Sequence, residues 1–173
     1  EILSSSTFKI YTSDDIKGIE LAGALKNIYA IISGYCHSLD VGENAIGLIL
    51  TRSMAEMSNF AVNKGANPIT FLGLAGMGDL VATCFSKLSR NYQFGWAIGE
   101  GLDIEAAKYK VGQVAEGLNT IRIIHNEISS SKIRMPLVSG MHEILFNSGS
   151  KELLLEQIIN SDIYVDVNFD VES

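Results

Sequence analysis

The chain has 173 residues, 47% of them hydrophobic and 19% charged, with a formal net charge of −7. That length suffices for one domain with a real core, and the composition is far from that of a disordered chain. The acidic balance, with no basic run to replace phosphate counterions, excludes general nucleic-acid binding.

No apolar run is long enough to span a bilayer, and nothing at the start reads as a signal peptide. Residues 1–7 are polar and serine-rich, and Phe8-Lys-Ile-Tyr-Thr12 alternates as a strand does. A lone strand cannot bury its faces. With Glu1 at the start, the opening therefore reads as the end of a preceding part. Ser13-Asp14-Asp15 then offers an N-cap with acidic residues for a helix over about 15–38. Ile19, Leu21, Ala22, Ala24, Leu25, Ile28, Ala30, Ile31 and Ile32 cover nearly every side of it, so it is expected to be buried.

Asp40-Val-Gly42 makes a break, and a second helix follows over about 43–64, with Leu48, Ile49, Met54, Met57 and Phe60 as its apolar side. Gly65-Ala-Asn-Pro68 stops it. Gly73, Gly76 and Gly78 mark a glycine-rich loop that allows close backbone approach. Further helices are expected at about 91–98, 103–110, 117–129, 137–147 and 150–160, with a loop at 111–117. The tail from Asp162 to Asp170 alternates apolar and acidic residues, as a strand or an extended arm would. Many helices and little strand predict an all-α domain.

Cys36 and Cys84 are the only cysteines. With neither metal spacing nor a disulfide framework, they are expected to be free thiols in a reducing cytosol. His37, His125 and His142 share no ligand spacing and read as structural or exposed.

Three places could carry chemistry. Lys26 lies in the middle of the apolar helix, on one stripe with Gly23, Asn27 and Ala30, whose small members leave room for a ligand. It either snorkels to water or bridges to an acid, or it faces a polar cavity as a proton donor to a carbonyl oxygen. Ser89-Arg90-Asn91 is either an ordinary capped helix start with a solvated arginine, or an anion site of first-turn amides and a guanidinium fork. Asp79 and Thr83 lie one helical turn apart. Asp79 is either a plain N-cap or the group that holds Lys26 charged and oriented.

Gly23-Ala-Leu-Lys-Asn27, Gly73-Leu-Ala-Gly-Met-Gly-Asp-Leu80, Thr83-Cys, Leu88-Ser-Arg-Asn91 with Phe94-Gly95, and Val114-Ala-Glu-Gly117 occur in this order and spacing. The set strongly resembles the C-terminal domain of bacterial NAD(P)-dependent sn-glycerol-3-phosphate dehydrogenases, from about residue 6 to about residue 148. The resemblance implies an all-α, multi-helix domain of the 6-phosphogluconate-dehydrogenase-like type, with a short N-terminal strand left from a missing Rossmann domain. Residues 1–13 would be that remnant, 14–160 the substrate-binding and catalytic domain, and 161–173 a tail; after about residue 150 the resemblance is no longer recognised, and the acidic alternation departs from the family's expected pattern.

The resemblance also implies roles. Lys26 would be the proton donor and acceptor at the substrate C2 oxygen, with Asn27, Asp79 and Thr83 orienting the lysine and the substrate. Ser89, Arg90 and Asn91 would bind glycerol 3-phosphate, Arg90 also standing near the cofactor, and Val114 and Glu116 would add cofactor contacts. The cofactor would be NAD or NADP, the substrate a phosphorylated three-carbon compound, and no metal is called for. A cytoplasmic enzyme feeding glycerophospholipid synthesis follows, and a homodimer is compatible with it. Two alternatives stand beside it: the helical half of another two-domain dehydrogenase (of the 6-phosphogluconate or 3-hydroxyacyl-CoA type), and a non-catalytic dimerisation module.

Overall fold

The computed structural model describes residue 5, residues 7–113 and residues 115–149. Among these residues are seven α-helices and no strand: α1 (Ile16–Ser38), α2 (Glu43–Asn63), α3 (Asp79–Phe85), α4 (Arg90–Gly99), α5 (Ile104–Val111), α6 (Glu116–Ser129) and α7 (Pro136–Phe146). The all-α expectation holds. The helix expected at 150–160 and the tail at 161–173 lie outside the described residues.

The strand expected at Phe8–Thr12 is a correction. These residues are exposed and irregular. Alternation alone does not make a strand, and no other strand among the described residues offers a ladder to pair with. The glycine-rich loop is corrected too, since Pro68–Leu72 forms a 3-10 turn and Leu74–Gly78 a π-helical turn leading into α3.

α1 is the axis of the domain and touches α2, α3, α4, α6 and α7. From Ile28 to Cys36 every residue of it is buried. Burial on all sides was expected for the whole helix, but its start is open: Ile16, Ile19 and Ala24 are exposed. α4 crosses α1 backbone to backbone. A Cβ on Gly95 would lie 1.9 Å from the Ile31 carbonyl oxygen, and one on Gly34 would lie 2.0 Å from that of Tyr92. α6 comes as close at its start, where a Cβ on Gly117 would sit 2.5 Å from the Asn27 carbonyl oxygen. The three glycines thus bring the starts of α4 and α6 onto the Lys26–Asn27 level of α1.

Around this crossing lie Tyr29, Phe60, Phe71 and Phe94, all fully buried. Each contributes roughly 1.5–3 kcal/mol by leaving water. α2 turns Ile46, Ile49, Met57 and Phe60 inward, whereas Leu48, assigned to its apolar side from sequence, is exposed. The same inward face carries Glu56. Its Oε2 accepts from the Tyr29 hydroxyl at 3.0 Å and its Oε1 from the Leu137 amide at 2.7 Å, so one carboxyl joins α1, α2 and the first turn of α7. Burial pushes this carboxyl up to about 8, against the pull of its donors.

Asp15 caps α1, its Oδ1 accepting from the Gly18 amide at 2.9 Å. Its Oδ2 accepts from the Asn67 amide at 2.9 Å and the Thr70 hydroxyl at 2.6 Å. Chiefly the Thr70 hydroxyl, then the Gly18 amide, hold this carboxyl below its usual range. The cap therefore also fixes the 3-10 turn that carries the chain toward Asp79.

Candidate functional site

Lys26 lies just above the sealed part of α1. Its ammonium donates to Asp79 Oδ2, with 23% of the lysine side chain and 38% of the aspartate side chain exposed. Lys26 thus bridges to an acid at the edge of the site rather than snorkelling into bulk water. One turn earlier a Cβ on Gly23 would meet nothing within 4 Å, so the helix surface beside the ammonium is open. The small-residue stripe does leave room there, on the Gly23 side; Ala30, at its other end, is buried.

Asp79 is the first residue of α3, not its N-cap. Gly78 holds the cap position, and no side chain caps this helix. The plain N-cap reading is overturned because the carboxyl turns across to α1. Thr83, one turn on, sets its Oγ1 2.6 Å from the Asp79 carbonyl oxygen and 3.3 Å from Asp79 Oδ1. The hydroxyl proton goes mainly to the carbonyl, with the carboxylate a weaker second acceptor. Lys26, Asp79 and Thr83 form one cluster from two helices.

Asn27, next along α1, leads to the second cluster. Gly117 N–H donates to Asn91 Oδ1 at 2.9 Å, Asn91 Nδ2 donates to Asn27 Oδ1 at 3.0 Å, and Asn27 Nδ2 reaches the Gly23 carbonyl oxygen at 3.4 Å. The chain begins on a backbone donor and ends on a backbone acceptor, so both amide orientations are fixed. Asn91 is buried, and both ends of its amide are engaged in joining α4 to α1 and α6.

Ser89 caps α4, its hydroxyl accepting from the Tyr92 amide at 3.4 Å. The amides of Arg90 and Asn91 have no carbonyl one turn back to bond, as at any helix start. Arg90 is exposed, and its Nη1 donates to Gln113 Oε1 at 3.0 Å. Glu116 is the exposed first residue of α6, and Val114 lies outside the described residues.

Gln113 is the residue that sequence reasoning missed. It lies in the stretch read as a loop, and only its place beside Val114-Ala-Glu-Gly117 hinted at it. Lys26 and Arg90 are each one residue from the Asn27–Asn91 bond, which ties an ammonium–carboxylate pair to an open guanidinium. Such a set can steady negative charge growing on an oxygen and grip an anion nearby.

Comparisons with known proteins bear on the family and fold of the chain. Residues 15–156 match the family described as NAD-dependent glycerol-3-phosphate dehydrogenase C-terminus. The glycerol-3-phosphate dehydrogenase [NAD(P)+] of Pseudomonas savastanoi pv. phaseolicola is 49% identical over 167 residues, which cover 96% of this chain and 49% of that protein. Among solved structures, the glycerol-3-phosphate dehydrogenase of Coxiella burnetii superposes with a TM-score of 0.86 at 37% identity, over 92% of this chain and 49% of that one. The Saccharomyces cerevisiae enzyme gives 0.81 at 28% identity, over 90% and 46%. The chain spans about half the length of the relatives it matches.

Proposed function

This chain belongs to the NAD-dependent glycerol-3-phosphate dehydrogenase family, and on that premise we propose that residues 14–160 are the substrate-binding and catalytic domain of such an enzyme. The reaction is the interconversion of dihydroxyacetone phosphate and sn-glycerol 3-phosphate with NADH or NADPH, in the cytoplasm, where the buried thiols of Cys36 and Cys84 stay reduced. The observation that carries this reading is the Lys26–Asp79 pair beside the open helix surface at Gly23.

The described residues fit a nicotinamide dinucleotide only at its edge. They hold no strand–glycine turn–helix unit to cradle the pyrophosphate. What they offer is the guanidinium of Arg90, held by Gln113, and the exposed start of α6 at Glu116. A bound nicotinamide supplies the hydride.

The chain's own residues supply position and charge. Arg90 and the first turn of α4 grip the substrate phosphate, remote from the reacting carbon, and so convert binding energy into orientation. Lys26 meets the carbonyl oxygen. As the carbonyl is reduced, negative charge grows on that oxygen, and the ammonium stabilises it more than it stabilises the ketone. Lys26 then gives up a proton to complete the alcohol. Asp79 steers the ammonium, and Thr83 steadies Asp79 from one turn along α3. In the reverse direction Lys26 accepts the proton.

The test fuses this chain behind the N-terminal half of the Pseudomonas savastanoi relative and follows NADH oxidation with dihydroxyacetone phosphate. Arg90→Ala is expected to raise KM about tenfold or more, the loss of a charge-assisted hydrogen bond. An unchanged KM removes Arg90 from the phosphate site. A folded fusion that turns over no dihydroxyacetone phosphate overturns the assignment.

A further inference from the structure

Outside this site, at the far end of α6, two histidines that look unrelated in sequence come face to face. His125 of α6 and His142 of α7 stack with ring centroids 3.7 Å apart and planes 7° from parallel. Glu143 follows His142, and its Oε1 stands 3.8 Å from His142 Nδ1, beyond hydrogen-bond reach. One ligand atom from each of the three residues lies within 4.8 Å of the other two. His142 Nδ1 is shielded from solvent and has no hydrogen-bond partner among the described residues. A shielded imidazole nitrogen without a partner is a rare arrangement.

We propose that His125, His142 and Glu143 form a binding site for a divalent transition-metal ion, with Zn2+ as the best match. Two imidazole nitrogens and one carboxylate oxygen are the donor set that zinc and its neighbours favour over calcium or magnesium. Zinc bonds of about 2.0–2.2 Å bring such donors closer together than 4.8 Å. The site closes by side-chain rotation, with no helix movement. The two rings also splay on binding, because an ion lies in the plane of each imidazole that ligates it, and the ring torsion is soft enough to allow this.

The neighbours set the affinity. Arg122, three residues before His125, places its guanidinium 4.3 Å from the centre of the Phe146 ring and contributes an opposing charge. Asn147 Nδ2 donates to both oxygens of Glu143 at 3.0 Å and holds the carboxylate in place. The ion would clip α6 to α7 and leave further coordination positions for water.

The test uses the 173-residue chain without a histidine tag. Calorimetric titration with ZnCl2, and the visible absorption of Co2+ in its place, read binding directly. The expected result is one Zn2+ per chain, a Co2+ spectrum of tetrahedral or five-coordinate type, and no response to Mg2+. His125→Gln and Glu143→Gln, both at partly exposed positions, should weaken binding about tenfold or more while circular dichroism shows the helices intact. Zn2+ should raise the melting temperature of the parent chain and of neither variant. No zinc binding by the parent chain overturns the proposal, as does equal binding by the two folded variants, which would place the metal elsewhere.

Discussion

Lys26 and Tyr29 stand three residues apart on α1, and each meets a carboxyl group from another helix. Tyr29 and Glu56 are both buried, and Glu56 is bonded by the tyrosine hydroxyl and a backbone amide. Lys26 and Asp79 are partly open, and their bond joins an ammonium to a carboxylate. Less than one helical turn separates a buried latch from a partly open ion pair. With water removed and neutral donors, a carboxyl ties three helices together and its pKa climbs to about 8. With one side open and a cation as partner, the carboxyl contributes little to stability and remains near ligands that approach.

Substitutions on the two carboxyls should separate these roles. Glu56→Ala strands the Leu137 amide and the Tyr29 hydroxyl in the core and is expected to cost about 3 kcal/mol or more. Asp79→Ala should cost under about 1 kcal/mol. Urea midpoints of the two variants measure the gap, and equal losses would erase the distinction. Gly95→Ala tests the seam on which both sites depend. Its Cβ has a carbonyl oxygen 1.9 Å away, so α4 must shift, at a cost of about 1–3 kcal/mol. The shift should also disturb the Asn27–Asn91 bond, which amide chemical shifts would report.

A smaller effect separates the pair by pH. Glu56 keeps its proton in the folded chain up to about 8, whereas an unfolded glutamate releases it near about 4.3. Its contribution is complete below the unfolded value and is lost as pH rises through the folded one. Between pH 7 and 8, below the thiols' ordinary range, the urea midpoint of the parent chain is expected to fall. Glu56→Gln should flatten that slope, and Asp79→Asn should leave it in place. A slope that survives Glu56→Gln belongs to another group.

What was legible in the sequence was local. The apolar cover of α1, Ser89 before α4 and Pro136 at the start of α7 placed those three helices to within a residue or two, whereas α3 was not expected as a helix. The Lys26–Asp79 partnership was legible only as one of two alternatives, because 53 residues separate the two and the fold alone brings them together. Glu56 gave no signal, as a glutamate in α2 reads as surface until a tyrosine from α1 and an amide from α7 reach it. The same holds for His125 and His142, whose spacing fits no single-helix motif and whose stacking exists only between two helices. Phe8–Thr12 failed the other way. Its alternation is a local signal, and strand formation needs a partner.

The most direct measurement is the kcat of Lys26→Ala in the fusion with the Pseudomonas savastanoi N-terminal half, with dihydroxyacetone phosphate and NADH. With Lys26 proposed to meet the reacting oxygen, a loss of about a hundredfold to a thousandfold is expected with the fold intact, as for removal of a single charge-stabilising donor. A kcat unchanged from the parent fusion would contradict it.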